Sequence, residues 1–110
     1  MEFQKLNKFA KLLPEYIVGT RCEDDPYMGH TEQVRWEFPN NYGASVVCHA
    51  GSYGGEPEFA VLHDGAVWTA SPVTSDVIPY VTVPDAALYL ARIRGLRPML
   101  VEEASPNEET

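Results

Sequence analysis

The stretch "VRWEFPNNYGASVVCHAGSYGGEPEFAVLHDGAVW", residues 34–68, decides the fold class of this chain. Its first five residues alternate between apolar and polar side chains, as a strand with one buried face does. Groups of Asn, Gly and Pro then separate further short apolar runs. The pattern therefore predicts an antiparallel meander of four strands over residues 34–38, 44–49, 58–62 and 66–70.

The last two strands are joined by Asp64-Gly65, a strong signal for a two-residue hairpin loop. This loop would pair Leu62 with Val67, and both faces of the hairpin would then carry apolar side chains. A sheet with one face in water should not look like this. Either helices cover both faces, or the second face meets a partner, for which a homodimer through the sheet face is one alternative. The predicted faces are Phe59, Val61 and Trp68 on one side, and Ala60, Leu62 and Val67 on the other.

The segments on either side of the meander predict two helices and a loop. Apolar residues recur at helical spacing over residues 2–13, until Pro14 interrupts the pattern. Residues 21–33 have no period and are rich in Asp, Glu, Pro and Gly, which predicts a long loop. Thr82 is placed to cap a C-terminal helix that ends near Gly95.

The predicted architecture is therefore α+β: a four-stranded antiparallel meander packed with an N-terminal and a C-terminal helix. At 110 residues the chain fits one domain, which we assign to residues 1–101. Residues 102–110 form an acidic segment of low hydrophobicity that we expect to be disordered.

Charge is distributed unevenly along the chain, whose net charge is −8. Residues 22–91 contain ten acids and a single cation, Arg35, whereas the segments 1–21 and 92–101 are net positive. A nucleic-acid-binding protein needs clustered cations to displace the counterions of phosphate, so this layout argues against that class. It favours a partner protein with a basic surface, although acidic surfaces also serve solubility alone.

The start of the chain lacks the apolar run and cleavage pattern of a signal peptide, and no segment is apolar for long enough to span a bilayer. We therefore expect a protein of the cytoplasm, with no membrane partner. The two cysteines, Cys22 and Cys48, do not make a disulfide framework.

The spacing of cysteines and histidines favours neither a metal site nor an enzyme. Residues of the types that zinc prefers are present, but there is no C-x-x-C pair, and Cys48 and His49 leave a strand on opposite faces. The chain also lacks the standard serine-hydrolase, metalloprotease and phosphate-loop motifs. We therefore predict no metal and no cofactor, and an enzyme using Cys48 or a histidine ranks last among the hypotheses.

The candidate binding residues are acids and turn tyrosines. Acids would meet lysines and arginines of a partner, and tyrosine is favoured in binding sites because it buries a large area at low entropic cost. Two of the tyrosines lie beside glycine in predicted turns, where each ring is either presented to a partner or folded down over the end of the sheet. The predicted partner-binding residues are Glu23, Asp24, Asp25, Tyr42, Tyr53, Glu56 and Glu58.

Several segments in order, "FPNNYGASVV" (38–47), "SYGG" (52–55), "EFAVL" (58–62) and "SPVTSDVIPYVT" (71–82), resemble a group of small proteins encoded by phages and prophages. The pattern of that group is F-P-N-G-Y-G-A-S-V, Y-G-G, E-L-A-V-L and T-P-V-T-D-D-V-I. The likeness covers roughly residues 34–94, and Asn41 stands where the pattern has Gly. It implies a phage accessory role in a host cell, and such proteins include inhibitors of host defence.

Two hypotheses of function rank above an enzyme. The first is a phage accessory protein that binds and inhibits or modulates a host protein complex through its acidic surface, for example as an anti-CRISPR or other anti-defence inhibitor. The second is a small-ligand binder, in which Tyr42, Tyr53 and Trp68 line a pocket for a nucleotide or metabolite.

Overall fold

The computed structural model describes residues 3–27, 29–49, 55–69, 71–74 and 76–97. Within these ranges an antiparallel sheet is followed by one α-helix, which confirms the α+β class. The elements in chain order are two 3₁₀ helices (Phe9–Lys11 and Pro14–Tyr16), β1 (Ile17–Asp25), β2 (Gly29–Glu37), β3 (Tyr42–His49), β4 (Glu58–His63), β5 (Ala66–Val67), β6 (Ile78–Pro79) and α1 (Val83–Arg94).

The sheet is a meander in which β1 to β5 lie side by side in chain order, and β6 also pairs with β4. Its first hairpin overturns the loop predicted over residues 21–33, because Cys22 pairs with Glu32 and Asp24 with His30. Strand β1 is the edge of the described sheet, and most of its residues are exposed. It therefore forms without the apolar alternation by which a half-buried strand is recognised.

The hairpin at Asp64-Gly65 has the predicted register. Leu62 pairs with Val67 and His63 with Ala66. Asp64 and Gly65 take φ values of 53° and 83°, which the two central positions of a type I′ turn require. Strand β5 is shorter than predicted and ends at Val67.

The core lies on one face of the sheet, against α1 and the N-terminal segment. The opposite face is less apolar than predicted, since Gln33, Arg35 and Ser45 lie on it beside the buried Leu62, and Val67 is 57% exposed. The largest contributions to the core come from Leu6, Phe9, Val34, Trp36, Val46, Phe59, Val61, Leu90 and Ile93.

The predicted N-terminal helix over residues 2–13 is wrong, and only short 3₁₀ helices form in its place. The backbone N–H groups of Gln4, Lys5 and Leu6 donate to the carboxylate of Glu32 on β2. Leu13 takes a positive φ of 42° directly before Pro14, which ends helical geometry. Short helices are marginal on their own, so these tertiary contacts decide the conformation.

Helix α1 begins and ends where predicted, at Val83 and Arg94, but its C-terminal cap differs from the predicted one. The Thr82 hydroxyl accepts a hydrogen bond from the N–H of Asp85 at 3.2 Å. Gly95 keeps a right-handed φ of −85° and does not form the left-handed cap common at helix ends. Instead, the Asn40 side-chain amide donates to the carbonyls of Ile93 and Leu96, each at 2.9 Å.

Candidate functional site

The predicted acidic residues collect at one end of the sheet, where β1 and β3 end and β2 and β4 begin. We call this region the acidic end and define it by Glu23, Asp24, Asp25, Glu56 and Glu58. Glu23, Asp24 and Glu56 are exposed, and Glu58 is half-buried. The structure describes the backbone of Asp25, which pairs with Gly29, but not its side chain. Strand pairing thus brings together acids that are up to 35 residues apart in the chain.

Two of these acids are paired with cations. The Arg21 guanidinium lies 2.6 Å from the Glu23 carboxylate, and the Lys5 ammonium lies 3.9 Å from that of Glu56. All four side chains are substantially exposed, so these pairs contribute little to stability.

The tyrosines behave differently from one another. Tyr42 is buried and stacks on His63 and Trp68, with ring centroids 5.0 and 5.1 Å apart. Its ring is therefore folded onto the core, which corrects the interpretation of Tyr42 as an outward-facing anchor. Tyr53 lies outside the described residues. Tyr27, in the turn between β1 and β2, is 96% exposed at the acidic end.

Glu32 is the central polar residue beneath this surface, and its side chain is fully buried. One carboxylate oxygen accepts hydrogen bonds from the N–H groups of Lys5 at 2.9 Å and Leu6 at 3.0 Å, and the other accepts from Gln4 at 2.9 Å. Burial raises the pKa of Glu32, but these hydrogen bonds and one from His30 outweigh it, so the net pKa is lowered. Glu32 is therefore a buried anion that attaches the N-terminal segment to the sheet.

His30 connects this buried carboxylate to the surface. Its Nδ1 lies 3.0 Å from an oxygen of Asp24, and its Nε2 lies 2.6 Å from an oxygen of Glu32. Hydrogen bonds to Asp24 and then Glu32 raise the pKa of His30, against an opposing effect of desolvation. Both ring nitrogens therefore face carboxylates, and the arrangement favours a proton on each.

The two thiols lie on either side of Glu32. Cys22 pairs with Glu32 across β1 and β2, and Cys48 pairs with it across β2 and β3. Two strand spacings separate the cysteines by about 9.5 Å, beyond the reach of a disulfide. Desolvation and the neighbouring Glu32 raise the pKa of Cys22, and desolvation raises that of Cys48 despite Lys5 nearby. A raised pKa keeps a thiol protonated, which is the opposite of what a cysteine nucleophile needs.

Sequence reasoning missed this cluster because it began the second strand of the first hairpin at Val34, whereas β2 begins at Gly29. The alternation that places Val34 and Trp36 on the core face also places His30 and Glu32 there when it is extended backwards along β2. Two polar residues at inward positions made the segment look like a loop. Their presence inside a strand was the available signal, because a buried acid needs partners.

Comparisons of the chain with protein-family models, curated proteins and solved structures found no match in any of the three. Among the described residues, no helix is both long and apolar enough to cross a membrane.

Proposed function

We propose that this protein binds a basic surface of a partner protein through its acidic end. The observation that carries the proposal is the convergence of Glu23, Asp24 and Glu56 with the exposed ring of Tyr27 at one end of the sheet. Acids supply long-range attraction and orientation, and a tyrosine supplies contact area, a combination typical of protein interfaces.

The way in which the acids are presented supports this reading. Most of them lie on or beside paired strands, so their spacing is fixed before a partner arrives. Strand β1 also offers the exposed edge of the described sheet, where a partner's extended segment can add main-chain hydrogen bonds. The partner surface is therefore expected to be basic and to tolerate a close approach of β1.

The resemblance to phage-encoded proteins suggests the biological setting. In that setting the partner is a host protein complex whose basic surface ordinarily meets nucleic acid, and occupation of that surface inhibits or modulates the complex. Anti-CRISPR or other anti-defence activity is the concrete form of this proposal. It rests on the likeness of segments within residues 34–94, while the binding surface rests on the acidic end.

A comparison of two charge variants tests the surface. The first removes two exposed acids and the ring at the acidic end (Glu23→Gln, Glu56→Gln and Tyr27→Ala). The matched control removes two acids near the opposite end of β1 (Glu15→Gln and Glu37→Gln), about 25 Å away by strand rise. Each tagged protein is incubated with host lysate at low and high salt, and the retained proteins are quantified by mass spectrometry.

We expect one host complex to be retained by the wild type and by the control, to be released by salt, and to be lost from the acidic-end variant. Direct titration of the isolated complex should then show affinity at least tenfold weaker for that variant. Equal retention by both variants, or retention that does not depend on salt, would contradict the proposal.

A second candidate function, small-ligand binding, is favoured by one feature of the opposite sheet face. The Arg35 Nε is buried and has no hydrogen-bond partner among the residues that the structure describes, and Arg35 lines a depression of about 270 Å³ with Gln33, Ser45 and Leu62. An unpaired guanidinium nitrogen beside a hydroxyl and an apolar wall suits a carboxylate or phosphate of a metabolite. Native mass spectrometry of the purified protein and of Arg35→Gln tests this: a co-purifying anion present only in the wild type would support it.

A further inference from the structure

The geometry points to a zinc-type metal site formed by Cys22, His30 and Glu32, with Asp24 as the residue that orients His30. The sulfur, imidazole and carboxylate ligand atoms of the three residues lie within 4.8 Å of one another. Thiolate, imidazole and carboxylate are the ligands that Zn²⁺ takes in proteins. The inference does not rest on the proposed binding function, although Asp24 also belongs to the acidic end. It revises the expectation of no metal, which was drawn from the positions of the cysteines and histidines along the chain.

The first hairpin creates this ligand set. Cys22 and Glu32 are directly opposite on β1 and β2, and Asp24 and His30 form the opposite pair two residues further along. Residues two apart on a strand share a face, so all four side chains stand on the core face of the sheet. Spacing along the chain cannot reveal such a site, because its ligands are neighbours only across the ladder.

The contacts of His30 resemble those of a metal-binding histidine. Metal-bound histidines commonly donate their second N–H to a carboxylate, which fixes the ring and its tautomer. Here Asp24 lies 3.0 Å from Nδ1, which leaves Nε2 directed at the Glu32 carboxylate 2.6 Å away. In the metal-bound state the ion takes the place of the proton between Nε2 and that oxygen.

The distances allow a metal ion to replace this proton with only small movements of the ligands. Tetrahedral Zn²⁺ with bonds of about 2.0–2.1 Å to nitrogen and oxygen holds those two atoms roughly 3.3 Å apart. The His30–Glu32 contact must therefore open by less than about 1 Å, and the Cys22 sulfur, which lies within 4.8 Å of the other ligand atoms, must move inward by at most about 1.2 Å. Glu32 keeps the backbone N–H bonds from Lys5 and Leu6 on its other oxygen, so the ligand stays fixed during the exchange.

Charge and access also suit a divalent cation. Thiolate and carboxylate together bring two negative charges, which match the ion, and Asp24 adds a third nearby. The Lys5 ammonium is the opposing charge, and it is directed to the Gly55 carbonyl at 2.8 Å. His30 lines an open depression of about 190 Å³ with Lys5, Cys48 and His49, so its ring can be reached from solvent.

Titration of the chelator-treated, reduced protein with Co²⁺ tests the assignment, because tetrahedral cobalt with a thiolate ligand has characteristic visible and near-ultraviolet absorption. We expect one equivalent to bind, the thiolate-to-cobalt band to appear, and Zn²⁺ to displace it. Cys22→Ser should abolish the band, and His30→Gln should weaken binding at least tenfold. Asp24→Asn should keep the band but weaken binding by about 10–100-fold.

Two controls keep the test decisive. Cys48→Ser tests which thiol supplies the sulfur. If Cys22 is the ligand, the thiolate-to-cobalt band must persist in this variant. His63→Gln removes a histidine at the other end of the sheet and should bind cobalt as the wild type does. Circular dichroism of each variant verifies the fold. Failure of the folded wild type to bind one equivalent, or persistence of the band in Cys22→Ser, would overturn the inference.

Discussion

In this protein, individual side chains on the core face bind parts of the chain that are distant in sequence, and Glu32 is the clearest case. Its carboxylate accepts hydrogen bonds from three backbone N–H groups of a segment 26–28 residues away in the chain. A carboxylate can do this because it offers only acceptors. The buried charge is tolerated because hydrogen bonds replace the water it lost.

We predict that Glu32→Gln lowers the free energy of unfolding by about 3 kcal/mol, because an amide NH₂ group would face backbone donors. Urea denaturation in the presence of a chelator measures the effect, with the fluorescence of Trp36 and Trp68 as the signal. Trp36 is suitable because its indole N–H donates to the Leu12 carbonyl of the same segment. Glu37→Gln, an isosteric change at an exposed site, should cost less than about 0.5 kcal/mol. Equal effects of the two variants would refute the anchoring role.

Gly43 is required for space and not for a positive φ. A Cβ atom at this position would lie 2.2 Å from the carbonyl oxygen of Trp36, which is backbone and cannot move aside cheaply. We predict that Gly43→Ala destabilises the protein by about 3 kcal/mol. Gly19, where an added Cβ meets nothing within 4 Å, provides the control, and Gly19→Ala should be close to neutral when both are compared by urea denaturation.

Asn41 supplies the positive φ of the β2–β3 turn, at 72°. Glycine accepts this conformation as well as asparagine does. Asn41→Gly should therefore change the free energy of unfolding by less than about 0.5 kcal/mol, while Asn41→Ala should lower it by about 1 kcal/mol. A thermal unfolding series over the three proteins checks the order, and an alanine variant as stable as the wild type would contradict it.

At the scale of elements, signals contained within a few residues were reliable. Asp64-Gly65 fixed a hairpin and its register, and Thr82 with Asp85 fixed the start of α1. The elements that failed depend on distant contacts. The N-terminal segment bends to meet Glu32, and β1 is a strand because β2 pairs with it, not because its own side chains alternate. No local pattern encodes either interaction.

The end of α1 is a further case, and it leads to a prediction. The Asn40 amide serves the helix carbonyls of Ile93 and Leu96, while its oxygen accepts the N–H of Tyr42 at 3.0 Å. Asn40→Ala should lower the free energy of unfolding by about 2 kcal/mol. Asn40→Asp keeps the acceptor but loses the donor and places a negative charge at the negative helix end. It should be at least as harmful in urea denaturation, and a wild-type-like aspartate variant would exclude the capping role.

At the scale of the whole molecule, the sequence predicted which part of the chain is acidic, but not which side chains the fold brings together. Counting acids located the acidic middle of the chain, and the sheet then gathers Glu23, Asp24, Glu56 and Glu58 at one end. The cluster of Cys22, His30 and Glu32 could not be found in this way, because it exists only across paired strands. The prediction for Tyr42 failed for a different reason. Its position beside a turn glycine suggested an exposed ring, whereas the ring is buried in the core.

The attachment of the N-terminal segment and of the end of α1 has a consequence for local unfolding. Each sheet contact within the meander joins strands that are consecutive in the chain, so the sheet can assemble hairpin by hairpin. In contrast, a buried polar side chain holds backbone groups of each terminal segment that the structure describes: Glu32 holds those of residues 4–6, and Asn40 holds those at the end of α1. Amide hydrogen exchange should therefore resolve two separate local openings, each made more frequent by substitution of the side chain that holds that segment, while the amides of β2 and β3 exchange only through global unfolding.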